Sequence, residues 1–183
     1  MSFAAKGGIV AIFATITIGL CVVALFPKVF WVEAEVDLIA NTTFTVKSSL
    51  WRTCNSTTYN DVTSTHCSGI RKIDISKNIK SEPAAEEDVA AAGLVLAGVF
   101  CIFSFIGLCC QHKCATVTLL LIALIFSAAT VGAYFRYKDH TLGDSYEFTH
   151  GYWLACAACA FALFSLFGSC CMNRERAAYE NLA

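Results

Sequence analysis

Four uninterrupted apolar runs leave this chain few folds to choose from. Gly7–Phe26, Val89–Cys110, Ala115–Phe135 and Gly151–Cys171 contain no Asp, Glu, Lys or Arg. Each is about 20–22 residues long, and at ~1.5 Å rise per residue such a run spans a ~30 Å hydrocarbon core. The apolar residues come in blocks rather than at the spacing of an amphipathic soluble helix. Composition agrees: 57% of the 183 residues are hydrophobic and 15% charged, where a soluble domain carries roughly a quarter charged residues. The first run exceeds the length of a signal-peptide apolar region and ends in Pro27-Lys28 without a clear small-x-small cleavage site, so it reads as a retained helix. The expectation is a membrane protein: a bundle of four transmembrane helices over about 7–26, 89–110, 115–135 and 151–171, in a single domain covering 1–183.

The connecting segments suggest an orientation. With both termini in the cytosol, the inner segments carry Lys6, Lys113, Arg174 and Arg176, and the long segment 27–88 lies outside with seven basic and nine acidic residues. The inner segments are then the more basic per residue, in the sense of the positive-inside rule. Asn41-Thr42-Thr43 and Asn55-Ser56-Thr57 are glycosylation sequons, and both fall in the 27–88 loop. Of eleven cysteines, only Cys54 and Cys67 lie in a polar stretch. A cysteine pair in a water-facing loop implies an oxidising side and a folded outer domain.

That loop reads as a small antiparallel β-sheet. From Val32 to Leu38, Val32, Ala34, Val36 and Leu38 alternate with Glu33, Glu35 and Asp37, the period of a half-buried strand. After a turn near Ala40-Asn41, Phe44-Thr45-Val46 offers a second strand. Leu50–Thr53 is a candidate third, and Ile70–Ile75 a candidate fourth with Ile73 and Ile75 on one face. Short strands in this number need a hydrophobic face or a staple. A Cys54–Cys67 bridge would supply one, contributing roughly 3 kcal/mol by closing a loop of about 14 residues; the alternative is two free thiols. Trp51 then packs under the sheet or against the bilayer surface.

The helices are chemically quiet. Charged side chains within a span mark most proton relays and charged-substrate pathways, and their absence here argues against a pump or transporter. His66, His112, His140 and His150 form no spaced set with Cys or carboxylates that would hold a metal. No nucleophile–base arrangement and no phosphate-binding glycine loop is present, so neither an enzyme nor a bound cofactor is expected, and nucleic acid is not an expected partner. Gly93-x3-Ala97-x3-Cys101, Ala128-x3-Gly132 and Gly151-x3-Ala155-x3-Cys159 put small residues on one helical face, where membrane helices approach closely. Cys21, Cys101, Cys156 and Cys159 read as small apolar fillers. Cys109-Cys110, with Cys114 nearby, and Cys170-Cys171 cluster where two helices end on the cytosolic side, and the two pairs are candidates for S-palmitoylation.

Trp31, then Ser49-Leu50-Trp51-Arg52-Thr53-Cys54, then Cys67, all in the first outer loop, resemble the Trp…Gly-Leu-Trp-x-x-Cys…Cys signature of the claudin superfamily. That superfamily also holds the epithelial and peripheral myelin membrane proteins and the channel-modulating gamma subunits. The resemblance covers the whole chain: four helices, a long first outer loop (27–88), a short second one (136–150) and a short cytosolic tail (172–183). Asp144-Ser145-Tyr146-Glu147-Phe148 is similar to the aromatic-acidic stretch that claudins carry before the fourth helix. The chain departs from the claudin pattern in three places. Ser49 replaces Gly, twelve residues separate the cysteines, and Glu86-Glu87-Asp88 precedes the second helix where claudins usually have an Arg.

The resemblance implies a plasma-membrane protein of cell–cell junctions. Its partners would be the lipid bilayer and, in cis and trans, itself or related tetraspan proteins, with a role in adhesion, paracellular barrier or ion selectivity. Claudins set ion preference with charges in the first outer loop. Glu33, Glu35 and Asp37 would stand about 7 Å apart along one strand face and are candidate contact or pore charges; the alternative is a solvated strand face. Two other readings stay open: an auxiliary gamma-type subunit of an ion channel or receptor, toward which Arg52-Thr53 leans, and a general adhesion tetraspan. The terminal Glu180-Asn181-Leu182-Ala183 lacks the features a PDZ groove prefers.

Overall fold

The computed structural model describes residues 3–38, 42–60, 62–68, 84–110, 112–142 and 145–180. Four long helices cross the molecule: α1 (Phe3–Ala24), α2 (Ala84–Cys109), α3 (Lys113–Tyr137) and α4 (His150–Glu180). All four are long and apolar enough to span a bilayer. A sheet sits at one end of the bundle, built from β1 (Val32–Leu38), β2 (Thr42–Ser48), β3 (Thr53–Tyr59), β4 (Val62–Cys67) and β5 (Glu147–Phe148). Its strand order is β4-β3-β2-β1-β5, with every pairing antiparallel. The chain is therefore a membrane protein with a four-helix bundle and a small antiparallel sheet.

The bundle is packed with small residues and clad in large ones. Ala14, Cys21, Ala97, Cys101, Ala123, Ala155, Ala158 and Ala162 are buried, while Ile12, Val22, Phe103, Ile125, Phe164 and Phe167 face outward. Lipid is as apolar as these side chains, so large apolar groups gain nothing by turning inward, whereas small ones let backbones approach. Most of the buried threonine and serine hydroxyls in the bundle are satisfied locally. Thr17, Thr116, Ser127, Thr130 and Ser165 donate to carbonyls three or four residues back. The Thr130 hydroxyl also lies 3.2 Å from the Ala90 carbonyl on α2. Gly93 makes this close passage possible, because a Cβ there would meet the Thr130 hydroxyl at 2.5 Å.

Several boundaries and strands differ from the sequence reading. Helix α1 ends at Ala24 rather than Phe26, because the Val23 carbonyl is taken in a tighter turn by the Phe26 N–H and Pro27 follows. Helices α2 and α4 extend into polar sequence, α2 beginning at Ala84 and α4 continuing to Glu180, nine residues past the fourth apolar run. Leu50–Thr53 is not a strand: Leu50-Trp51-Arg52 form a turn and β3 starts at Thr53. The candidate strand at Ile70–Ile75 lies outside the described residues; the fourth strand is Val62–Cys67 instead. The small-residue pair Ala128 and Gly132 faces outward, and a Cβ on Gly132 would meet nothing within 4 Å. On α3 the bundle face is set by Ala123, Ser127, Thr130 and Tyr134.

Candidate functional site

The seam between sheet and bundle begins at the C-terminal end of α1. The last turn of a helix leaves carbonyls without intrahelical partners, and leaving them bare near hydrocarbon is costly. Here several of those groups, and the carbonyls just beyond them, find donors. The Cys21 carbonyl accepts from Leu25 N–H, Val23 from Phe26 N–H, and Phe26 from Val29 N–H. Indole Nε1 of Trp31 donates to the Ala24 carbonyl at 2.9 Å, that of Trp51 donates to the Leu25 carbonyl, and Arg52 Nε donates to Pro27 at 3.1 Å. An indole N–H is a donor only, which suits it to capping carbonyls. The two tryptophans thus cap α1 and hold the sheet on its end.

Ser49 organises the turn that delivers Trp51. Its hydroxyl donates to the Arg52 carbonyl at 3.1 Å and accepts from the Trp51 and Arg52 N–H groups at 3.3 and 3.2 Å. Its own N–H donates to the Arg52 carbonyl at 2.9 Å. The residue that breaks the Gly-Leu-Trp pattern is therefore a working part of the turn. Leu50, beside it, is buried in the same core as Trp31, Tyr134 and Tyr152.

The opposite side of the seam is made by the start of α4. Thr149 donates its hydroxyl to the Phe30 carbonyl at 2.6 Å and its N–H to the Trp31 carbonyl at 2.9 Å. Gly151 N–H also reaches Phe30. Val32 and Glu33 pair with Phe148 and Glu147 of β5, so the stretch Asp144–Phe148 supplies an edge strand; Asp144 itself lies outside the described residues. Around Trp31 an aromatic cluster closes the bundle end. Tyr134 lies 4.7 Å from Trp31 between ring centroids, Tyr152 stacks on Phe148 at 3.9 Å, and the Lys138 ammonium sits 5.4 Å above Phe148. Of these, Phe148 belongs to the aromatic-acidic stretch read from the sequence, whereas Tyr134 and Tyr152 were not singled out by sequence reasoning. Their common signal is aromatic residues at the ends of apolar runs, where membrane proteins concentrate them.

Two faces of the sheet differ in chemistry. Directly opposed residues share a face, so Glu147, Glu33, Lys47, Cys54 and Cys67 form one row across all five strands. Cys54 and Cys67 stand opposite each other and are disulfide-bonded. Glu33, Glu35 and Asp37 do share this face, but they are not equivalent. Glu33 is ion-paired with Lys47 at 2.7 Å, and Asp37 accepts from the Thr43 hydroxyl at 3.2 Å. Glu35, opposite Thr45, is exposed. The other face carries Val32 and Ala34, buried on the bundle side, and then Val36, Phe44, Val46, Tyr59 and Val62 toward the far end. Asn55 is exposed on this second face. Asn41 lies outside the described residues.

Cys109, Cys110, Cys114, Cys170 and Cys171 are free and exposed, at the bundle end remote from the sheet. Cys21 and Cys101 are buried, and Cys156 and Cys159 half-buried, in the bundle. Among the described residues no three His, Cys, Asp or Glu side chains group as a metal site. No model of a known protein family matches the chain. No curated protein matches it either. Fold and seam define the class: a four-helix membrane protein whose small β-sheet is pinned to the end of the bundle by two tryptophans.

Proposed function

We propose that the chain is a divergent member of the claudin superfamily that works at the plasma membrane, at cell–cell contacts, with both termini in the cytosol. Its sheet meets its counterpart on the same or related chains, beside it and across the gap, and so contributes to adhesion and to a barrier or ion preference between cells. It acts by contact, without a catalytic step or a cofactor.

The observation that carries this reading is the rigid seam. Trp31, Trp51, Arg52 and Thr149 fix the sheet to the bundle through backbone carbonyls. Among the described residues nothing covers the sheet's far end, which carries Glu35 and Asp37 on one face. A domain anchored to the bundle at one end suits contact with a surface beyond the bilayer through the other. The Cys54–Cys67 disulfide supports placing that domain on the oxidising side. The second reading, an auxiliary subunit of an ion channel or receptor, leaned on Arg52-Thr53. Arg52 is engaged with Pro27 in holding the turn, so it adds no weight to that reading.

A tagged copy expressed in a polarised cell layer tests the proposal. Continuous signal along cell borders is expected. Diffuse surface signal, with a channel or receptor co-purifying at fixed ratio, would replace the junction reading with the auxiliary one.

A further inference from the structure

The sheet face that carries Asn55 has an apolar far end with no covering element among the described residues. Val36, Tyr59 and Val62 on that face are 48%, 55% and 73% exposed. An apolar strip left open on a water-facing domain marks a place that something covers. Asn55 stands within this face, opposite Val46 on β2 and His66 on β4. Phe44 is the diagonal neighbour, opposite Thr57, roughly 7–8 Å away. Asn55 and Thr57 are both exposed, and Asn55-Ser56-Thr57 is an acceptor sequon.

We infer that Asn55 carries an N-linked glycan whose first sugars lie over Val46 and Phe44 and whose later sugars extend along the same face toward Val36, Tyr59 and Val62, so that the carboxylate face alone is open to protein partners. In the transfer, Asn55 Nδ2 forms a bond to the anomeric carbon of the first N-acetylglucosamine of a polyprenyl-diphosphate oligosaccharide. The carbon–oxygen bond to the diphosphate breaks, the polyprenyl diphosphate leaves with the bonding electron pair, and the amide gives up one proton. The compartment that holds this donor is the oxidising one in which the neighbouring Cys54–Cys67 disulfide forms. That bridge lies on the opposite face, so it does not obstruct the sugar. The C–H faces of a pyranose pack well on aromatic and branched apolar side chains, and Phe44 and Val46 provide both. A bulky polar group attached there makes that face soluble and blocks protein contact through it. The inference rests on the outward placement of the sheet and not on which partner it meets.

The test uses the full chain in an animal cell line with Asn41→Gln, so that one sequon remains. Endoglycosidase treatment is expected to remove one mobility step, which Asn55→Gln and Thr57→Ala each abolish. Ser64→Cys and Thr65→Cys then place thiols on opposite faces of exposed strand β4, Ser64 being the residue opposite Thr57. With the sequon intact, a membrane-impermeant maleimide on intact cells should label position 64 several-fold more slowly than position 65. The two rates should converge in the Thr57→Ala background. Hydroxyl-radical oxidation of Tyr59, before and after glycan removal, reads the same shielding without any new thiol. A chain that reaches the surface without the mobility step overturns the modification. Equal rates with the glycan present overturn the shielding and leave the apolar face to a protein partner. Labelling at position 65 only after permeabilisation would mean that the sheet faces the cytosol, which overturns the outward placement itself.

Discussion

Gly151 lies flat against the Trp31 indole: a Cβ there would stand 2.4 Å from Trp31 Cδ1 and 2.8 Å from the Phe30 carbonyl oxygen. The first turn of α4 therefore touches the sheet through a residue without a side chain. That bare backbone lets Thr149 and Gly151 reach the Phe30 carbonyl together. The small-residue stripe on α4 thus begins as a contact with a tryptophan and becomes a helix–helix contact one turn later, at buried Ala155.

Gly151→Ala should destabilise the protein by about 1–3 kcal/mol, the usual cost of forcing a methyl into a filled space. Gly132→Ala is the control: its Cβ would meet nothing within 4 Å, and replacing a helical glycine by alanine gains roughly 0.5–1 kcal/mol. Thermal unfolding of the two purified variants in one detergent should show Tm moving in opposite directions. A Gly151→Ala Tm equal to that of the parent would contradict the close approach.

Trp31→Phe keeps a ring against Tyr134 but removes the donor to Ala24. A buried carbonyl left without its partner costs about 1–3 kcal/mol, and Tm should fall accordingly. Trp153→Phe, on a lipid-facing position that is 60% exposed, should leave Tm where it was. If both tryptophans prove equally replaceable, the Trp31 indole does not cap α1.

The helices could be read because an uncharged run of bilayer length has one good solution, and β1 because its apolar and acidic residues alternate. Strands β3 and β4 offered no such pattern. Their residues are mostly Thr, Ser and Asn: β4 is exposed on both faces, and β3 alternates exposed with more buried positions but carries small polar residues on both sides, so hydrophobic periodicity had little to register. The signal there was different: β-branched threonines on either side of Tyr59-Asn60, where Asn60 adopts φ 45°. Asparagine tolerates that left-handed conformation and favours tight hairpins. The disulfide pairing followed from two cysteines standing alone in polar sequence. The α1 cap did not, because hydrogen bonds from Trp51 and Arg52 to residues 26 and 25 positions earlier leave no local trace.

Ser49→Ala should remove the acceptor for the Trp51 and Arg52 N–H groups while keeping the backbone bond from Ser49 N–H to Arg52. With one hydroxyl serving three backbone groups, a loss of about 1–3 kcal/mol is expected. Ser49→Thr should restore much of it if the extra methyl fits the buried site. Stabilities measured by chemical unfolding in detergent decide the matter; an alanine variant as stable as the parent would make Ser49 a passive replacement for glycine.

Cys109, Cys110, Cys170 and Cys171 are exposed at the bundle end remote from the sheet; with that end in the cytosol, as proposed, these juxtamembrane thiols would meet acyl donors. Hydroxylamine-dependent acyl exchange on the chain from cell membranes should label it, and changing all four to Ser should abolish the label. Label that survives the fourfold change would assign acylation to exposed Cys114. No label on the intact chain removes the proposal.

The ion pair between Glu33 and Lys47 gives the charge-selectivity idea a sign test. The three carboxylates of β1 share a face with Glu147, but Lys47 offsets Glu33, leaving Glu35, Asp37 and Glu147 as that face's excess charge. A unit charge about 7 Å from a passing ion contributes roughly 0.6 kcal/mol in water, a factor of about 2.7, and less as salt screens it. If this face borders a paracellular path, Glu35→Gln should lower the Na⁺-over-Cl⁻ permeability ratio of an expressing cell layer by roughly twofold. Lys47→Gln should raise the ratio by a similar factor, because it leaves Glu33 uncompensated, and Glu33→Gln with Lys47→Gln should return it near the parent value. The half-buried pair lies near enough to solvent to contribute only about 0.2–1 kcal/mol to stability, so these variants should fold and reach the surface. Dilution potentials across the layer measure the ratio. Shifts of one sign for both Glu35→Gln and Lys47→Gln, or none for either, would show that ions do not pass along this face.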